Sequence, residues 1–282
     1  MKKYKTLKFV VISLLILIVV NTIYAFKVEP YSINIEWNLI KPEGEVTETL
    51  KVVHFSDIHL KEDFNKVPLD NIVHKINNQQ ADIVVFTGDL YDNYAKYNSD
   101  DMIISYLKQI KSKYGNFAVW GNHDYGGGSS RHYDYVMKEA GFRLLRNEEV
   151  MIKTESNKSI LIYGLDDSML GKPHTKSLTR TDESDFIIML SHEPDTVDRF
   201  INEDFNLFLS GHSHGGQINI PWIPALNKFA VNQTNLAEKY TKGSYDLTNS
   251  KSIFVNVGIG TSHVPMRFGV HPKITVHKIF LK

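Results

Sequence analysis

From Lys51 onward the apolar runs of this chain are short, and nearly every one gives way to Asp, Asn, His or Gly. Residues 52–55, 83–87, 117–120, 160–163, 186–190 and 207–209 all have this form. Continuous β-branched and aromatic runs of that length predict buried strands. Between the first three, Leu69, Ile72, Val73 and Ile76 make one helical face, and Met102, Ile103, Tyr106, Leu107 and Ile110 make another. Strands alternating with helices predict an α/β fold with a largely parallel sheet, whose strand ends share one edge. Later, 252–257 and 274–281 read as strands with no helix between them, which predicts a second, more antiparallel sheet packed on the first. No internal repeat or second linker breaks residues 50–282, so they read as one domain.

Residues 9–26 carry no charge, and as a helix they would span about 27 Å, close to the thickness of a bilayer core. Lys2, Lys3, Lys5 and Lys8 flank that run on one side only. The positive-inside bias then predicts a single-pass anchor over residues 1–27, a cell-membrane location and a body outside the cytoplasm. A cleaved signal peptide is the competing reading, but Ile23 is bulky for the position two residues before Ala25. Residues 28–49 read as a linker or an edge strand. The alternation from Tyr31 to Trp37 favours a strand, and Pro42-Glu43-Gly44 reads as a turn.

Composition narrows the chemistry. Cysteine is absent, which excludes disulfides, thiolate metal sites and cysteine nucleophiles, while 12 histidines leave nitrogen ligands available. Basic and acidic residues number 32 each, but four of the basic ones lie in the first eight positions. The slightly acidic body that remains does not suit a polynucleotide partner.

The strand ends carry the chemistry. The first gives Asp57 and His59, two residues apart and expected to point the same way in an extended segment. The second gives Asp89; the third gives Asn122, His123 and Asp124; later ones give His192, then His212 and His214. Any one of these is explained by a turn, a helix cap or a core histidine. Five successive strand ends bearing ligand-type groups are not. Oxygen donors mixed with imidazoles suit Mn, Fe or Zn, and seven donors exceed the need of one tetrahedral ion, which points to two divalent metal ions sharing a carboxylate.

The succession Asp57-Ile-His59, Gly88-Asp89, Gly121-Asn122-His123-Asp124, His192 and Gly211-His212-Ser213-His214 resembles the calcineurin-like metallophosphoesterases. Gly215-Gly216-Gln217 and the tail from Gly258 to Gly269 resemble the membrane-associated bacterial branch of that family, although Lys273 stands where that branch carries an acid. The resemblance implies a four-layer α/β/β/α sandwich of two mixed β-sheets flanked by helices. It implies that Asp57, His59 and His214 hold one ion, that Asn122, His192 and His212 hold the other, and that Asp89 bridges them. It also implies hydrolysis of a phosphoester by a metal-bridging hydroxide, with His123 stabilising the phosphoryl oxygens or protonating the leaving oxygen. Asp124 is expected to orient His123 or to cap a helix. Arg131, in the glycine-rich stretch after Tyr125, is a candidate phosphate clamp on a mobile loop. A lipid-linked or cell-wall phosphoester or pyrophosphate is the expected substrate, by likeness to the UDP-2,3-diacylglucosamine hydrolases. A nucleotide phosphodiesterase or nuclease, or a silent metal-binding module, are the competing functions. His54, His74, His174, His271 and His277 read as surface or core residues, with His263 near the site.

Overall fold

The computed structural model describes residues 2–41, 45–232, 234–248 and 250–282, so the turn expected at Pro42-Glu43-Gly44 lies outside the described residues. A helix, α1 (Lys2–Ile23), leads through a π turn (Tyr24–Val28) and a 3-10 turn (Glu29–Tyr31) into β1 (Asn34–Ile40). The body continues as β2 (Glu48–Phe55), α2 (Lys66–Asn77), β3 (Ile83–Phe86), α3 (Asp100–Leu107), β4 (Asn116–Ala118), the single turn α4 (Asn122–Tyr125), α5 (Tyr133–Glu139) and β5 (Phe142–Leu144). There follow β6 (Glu148–Lys153), β7 (Ser159–Gly164), β8 (Phe186–Leu190), β9 (Leu207–Ser210), α6 (Pro224–Val231), β10 (Gly243–Asp246), β11 (Ser252–Val255) and β12 (Lys273–Leu281).

Two six-stranded sheets result, in the orders β1-β12-β2-β3-β4-β5 and β10-β11-β9-β8-β7-β6. Alternation along each strand builds the layers. Leu50 and Val52 of β2, Ile83 and Val85 of β3, and Leu207 and Leu209 of β9 fill the core between the sheets. Val53 and Phe55, with Val84 and Phe86, face the opposite way, onto Leu69, Ile72 and Ile76 of α2 and Ile103 and Leu107 of α3. Outside the second sheet, Met189 and Phe208 pack on Val197 and Phe200 of the 3-10 segment Pro194–Phe200. The architecture is a sandwich of two mixed sheets with helical segments on both outer faces.

One expectation holds only in part. The second sheet has two antiparallel pairings, β6 with β7 and β10 with β11, against one in the first, but its inner strands β7, β8, β9 and β11 run parallel. Parallel crossovers here need no long helices, because the 3-10 segment and long loops supply the return path. The late strand β12 belongs to the first sheet, antiparallel to β2 and parallel to β1. There Lys273 Nζ donates to Glu36 Oε1 at 2.7 Å, tying the edge strand down.

Residues 4–31 include a helix long and apolar enough to cross a membrane, with a mean hydropathy of 2.6. Its side chains from Tyr4 to Val20 lie exposed. Near its end two polar side chains bond back to the helix, Asn21 Nδ2 donating to the carbonyl of Leu17 (2.7 Å) and Thr22 Oγ1 to that of Ile18 (2.8 Å), which lowers the cost of placing them in hydrocarbon.

Leu209 lies fully buried between the sheets, two residues before the Gly211 loop. Leu209→Ala is expected to cost about 2–5 kcal/mol of stability, read as a lowered denaturation midpoint at unchanged slope.

Candidate metal centre

The ends of β2, β3 and β4 in one sheet and of β8 and β9 in the other meet at a single edge, and the expected ligands lie in the loops that leave them. Asp57 and His59 come together for a different reason than strand alternation. β2 stops at Phe55, and both residues adopt left-handed backbone, with φ of 51° and 48°. Asp89 (61°), His212 (67°) and His214 (50°) do the same. Each such residue costs about 1–2 kcal/mol, and strain gathered this way marks a functional site.

Neighbouring loops brace the strained ones. The N–H of Asp57 donates to Gly88 O (2.9 Å), that of His59 to Asp89 O (3.2 Å), and that of Gly260 to Asp57 O (2.7 Å). The His212 N–H donates to both Asp57 oxygens, at 3.1 and 3.0 Å. Only glycine fits between the loops: a Cβ on Gly211 would lie 1.9 Å from Ser56 Oγ and 2.3 Å from Asp57 Oδ2.

Two clusters form. In the first, His59 Nε2 and His214 Nε2 are 3.0 Å apart, and Asp57 Oδ1 is 3.9 Å from the former and 3.5 Å from the latter. In the second, His192 Nε2 is 3.2 Å from Asp89 Oδ2 and 3.1 Å from His212 Nδ1. Two donors on one ion with bonds of 2.0–2.2 Å can be at most about 4.4 Å apart, so these separations fit a cation in each cluster. Asp89 Oδ2 also lies 3.5 Å from His59 Nε2, which sets that carboxylate between the clusters. Asn122 Oδ1 is buried without a hydrogen-bond partner, an oxygen donor left open to a cation. The opposite ring nitrogens are fixed: His192 Nδ1 meets Thr87 O at 2.6 Å, and His212 Nε2 meets Asn235 O at 2.8 Å. Such contacts select the tautomer that leaves the facing nitrogen free for a metal.

His123 and Asp92 adjoin the first cluster. The rings of His59 and His123 meet edge to face at 4.7 Å, and His123 Nδ1 lies 2.7 Å from Asp92 O. Asp92 Oδ1 is 3.5 Å from His59 Nδ1. Sequence reasoning missed Asp92; its signal was an acid three residues beyond Asp89 in the same strand-end loop.

Of the two roles expected of Asp124, it fills the cap: its side chain accepts from the Gly121 N–H at the start of α4 and does not orient His123. Its fully buried carboxylate accepts from the N–H groups of Asp89 (2.7 Å), Gly121 (3.0 Å) and Leu90 (2.9 Å), clamping the Asp89 loop, while the partner of the His123 ring is Asp92. Arg131 is exposed and makes no hydrogen bond or ion pair among the described residues, so nothing joins it to the clusters. The glycine-rich stretch is pinned, since buried Ser129 Oγ lies within hydrogen-bond reach of the carbonyls of His123 (2.6 Å), Asp124 (3.0 Å) and Gly126 (2.7 Å), its one proton going to one of them. Of the other histidines, His54 and His277 are fully buried, His74 is exposed, and His174 and His271 are half-buried. His263 lines a cleft together with His214.

The profile of the calcineurin-like phosphoesterase family matches residues 50–216, more than half of the chain and all seven of these donors. The chain belongs to the calcineurin-like phosphoesterases. It is 36% identical over 258 residues to the metallophosphoesterase YkuE of Bacillus subtilis (strain 168), covering 90% of this chain and 87% of that one. It is 29% identical over 242 residues to a transmembrane protein with metallophosphoesterase domain of Bos taurus, covering 80% and 52%. It is 25% identical over 296 residues to the UDP-2,3-diacylglucosamine pyrophosphatase LpxG of Chlamydia trachomatis, covering 86% and 88%. As a calcineurin-like phosphoesterase the chain is a phosphoester hydrolase, its family is divalent-metal dependent, and its clusters are able to hold metal.

Charge in the site is arranged for that. Burial opposes ionisation of Asp57 and Asp89, but the surrounding imidazoles hold both carboxyls below their usual range. Burial, then the charge of His192, brings His212 down to about 4, and burial likewise holds His214 far down. Burial also opposes a charge on His59, yet Asp57, Asp92 and Asp89 raise it to about 9; Asp89 and Asp57 raise His192 in the same way. Each cluster thus pairs a protonated imidazole with a neutral one. A metal ligand must be neutral, so loading competes with those two protons. At pH 7 loading should release protons, and affinity should rise with pH through about 9 as His59 gives up its proton. Calorimetric titration in buffers of different ionisation enthalpy checks this; heats independent of the buffer would refute it.

Proposed function

We propose that this chain hydrolyses a cell-envelope phosphoester or pyrophosphate, on the outer side of the membrane that holds its amino-terminal helix, with two divalent ions in the site. Asp57, His59 and His214 would hold the first, Asn122, His192 and His212 the second, and Asp89 would bridge. The position of Asp89 Oδ2, 3.5 Å from His59 Nε2 and 3.2 Å from His192 Nε2, carries this reading. Dications so placed supply charge neutralisation of the phosphoryl oxygens and an activated water.

The chain's own groups do the rest. The Asp92 carbonyl requires a proton on His123 Nδ1, so Nε2 is the atom that exchanges one. There it can donate to a phosphoryl or leaving oxygen. Asp57 and Asp89, ionised and buried, keep the donors on each side facing one another. The four lysines at one end of the apolar run support the outward orientation. The pyrophosphatase named among the relatives supports an envelope substrate.

The test uses the full chain in nonionic detergent, assayed on p-nitrophenyl phosphate and bis-p-nitrophenyl phosphate, metal-free and with Mn²⁺ or Zn²⁺. Metal-dependent release is expected, and no release from protein shown to hold two ions would overturn the reading. His123→Ala should keep its metal and lose about 10²–10⁴-fold in turnover; an unchanged kcat would remove it from the reaction. Asp89→Asn should weaken both ions, and loss of only one would refute the bridge.

A further inference from the structure

The loop that carries His214 opens into a cleft of about 530 Å³, lined by Ile218, Leu226, Phe229 and Val264 together with His214 and His263. Because His214 is part of its wall, the cleft adjoins the first metal cluster. Its α6 wall is fastened to the metal loop: Asn227 Nδ2 donates to the carbonyls of Gly215 (2.9 Å) and Ile218 (2.7 Å). Along and beside α6, Trp222 (88% exposed), Ile223, Leu226 and Phe229 (66%) form an exposed apolar ridge. Hydrolysis of a small hydrophilic ester gives no reason for such a patch.

Ser262, His263 and Val264 line another side of the cleft, and the strap that continues from them to Val270 packs on the end of the apolar amino-terminal segment. The Arg267 N–H donates to Ala25 O (3.0 Å), the Val270 N–H donates to Glu29 Oε1 (2.8 Å), and the rings of Tyr24 and Phe268 meet edge to face at 6.4 Å. Gln217 ties strap to metal loop, donating from Nε2 to the carbonyls of Val264 (3.0 Å) and Met266 (3.3 Å). The cleft is thus joined, through a few residues of one strap, to the point where the chain leaves its membrane-length helix. Trp222 follows three residues after Asn219, whose N–H donates to Phe268 O (2.7 Å) on that strap, and an exposed tryptophan so linked suits the headgroup region of a bilayer.

Resting on the hydrolase reading above, we infer that this cleft takes the hydrocarbon chain of an amphiphilic phosphoester whose phosphorus lies at the two clusters, with the Trp222–Phe229 ridge set against the same membrane. The substrate class is thereby narrowed to phosphoesters that carry an acyl or other long alkyl chain.

Binding of ethyl, hexyl and decyl phosphate to the Mn²⁺-loaded full chain, by calorimetry in nonionic detergent below their micellar concentrations, tests this without needing turnover. Failure of the hydrolase reading and of this one are thus separable. Affinity should rise by roughly two- to fourfold per methylene. The decyl-to-ethyl ratio should fall at least about tenfold in Leu226→Gln and in Val264→Ser measured in the same detergent, which cancels partition into micelles. Val264 is half-exposed and outside any helix or strand, so its substitution tests the cleft even where that of Leu226 disturbs α6. A ratio equal in wild type and both variants overturns the assignment. So does a ratio near one accompanied by a dimer that Phe229→Ser dissociates, which would give the ridge to a second copy of the chain.

Discussion

Asp57 and Asp89 are buried carboxylates held within 4 Å of imidazole nitrogens from both sheets. Taking such a charge out of water costs several kcal/mol unless partners replace the solvent. The backbone around them is shaped by that demand. Asp57 accepts from the His212 N–H, Asp89 accepts from the His123 N–H at 2.8 Å, and the glycines at 121 and 211 let those amides approach. The left-handed ligand residues are the cost of turning each loop sharply enough to aim a side chain at the shared edge. Asp124 shows the same economy one step further out, using its whole carboxylate to hold the Asp89 loop.

Behind the metal loops, a second polar system crosses the otherwise apolar layer between the sheets. His54 Nε2 lies 2.9 Å from Thr87 Oγ1, which donates to Ser56 Oγ at 2.8 Å. On the other side His277 Nε2 lies 3.4 Å from His54 Nδ1, and Asn38 on the edge strand reaches His277 Nδ1 at 3.1 Å. Burial holds His54 down at about 3, and burial with the neighbouring His54 holds His277 well below its ordinary value, so both rings are neutral in ordinary conditions and can be packed without a counter-charge. Thr87 and Ser56 immediately precede the Asp89 and Asp57 loops. The network therefore fixes the registration of one loop against the other from inside the core.

Most of the site was legible because strand ends in a parallel sheet converge whatever the loops do. Asp57, His59, Asp89, Asn122, His192, His212 and His214 could be gathered from polar residues at the ends of apolar runs. The reason offered for pairing Asp57 with His59 failed, since left-handed backbone leaves no trace in residue spacing. For Asp124 the spacing left open whether it orients His123 or caps a helix, and for Asp92 it gave no sign, because only the turn of each loop decides which acid reaches the ring. The parallel centre of the second sheet was hidden because its crossovers use a 3-10 segment and irregular loops, which lack helical periodicity. Arg131 was drawn in by charge and a glycine-rich neighbourhood, and Ser129, which decides how that stretch lies, carries no charge to announce it.

Between the end of the π and 3-10 turns at Tyr31 and the start of β1 at Asn34 there are only two residues, and β1 is already part of a sheet. The catalytic body thus has almost no tether. Once the apolar helix lies in a bilayer, the site is held at a nearly constant height, and its encounters with amphiphiles are collisions in a plane. For the amphiphilic substrate proposed above, supply would be counted in molecules per area of membrane, and the rate of encounter would be set by lateral diffusion. A lengthened insert between Tyr31 and Asn34 would turn a surface reaction back into one governed by bulk concentration.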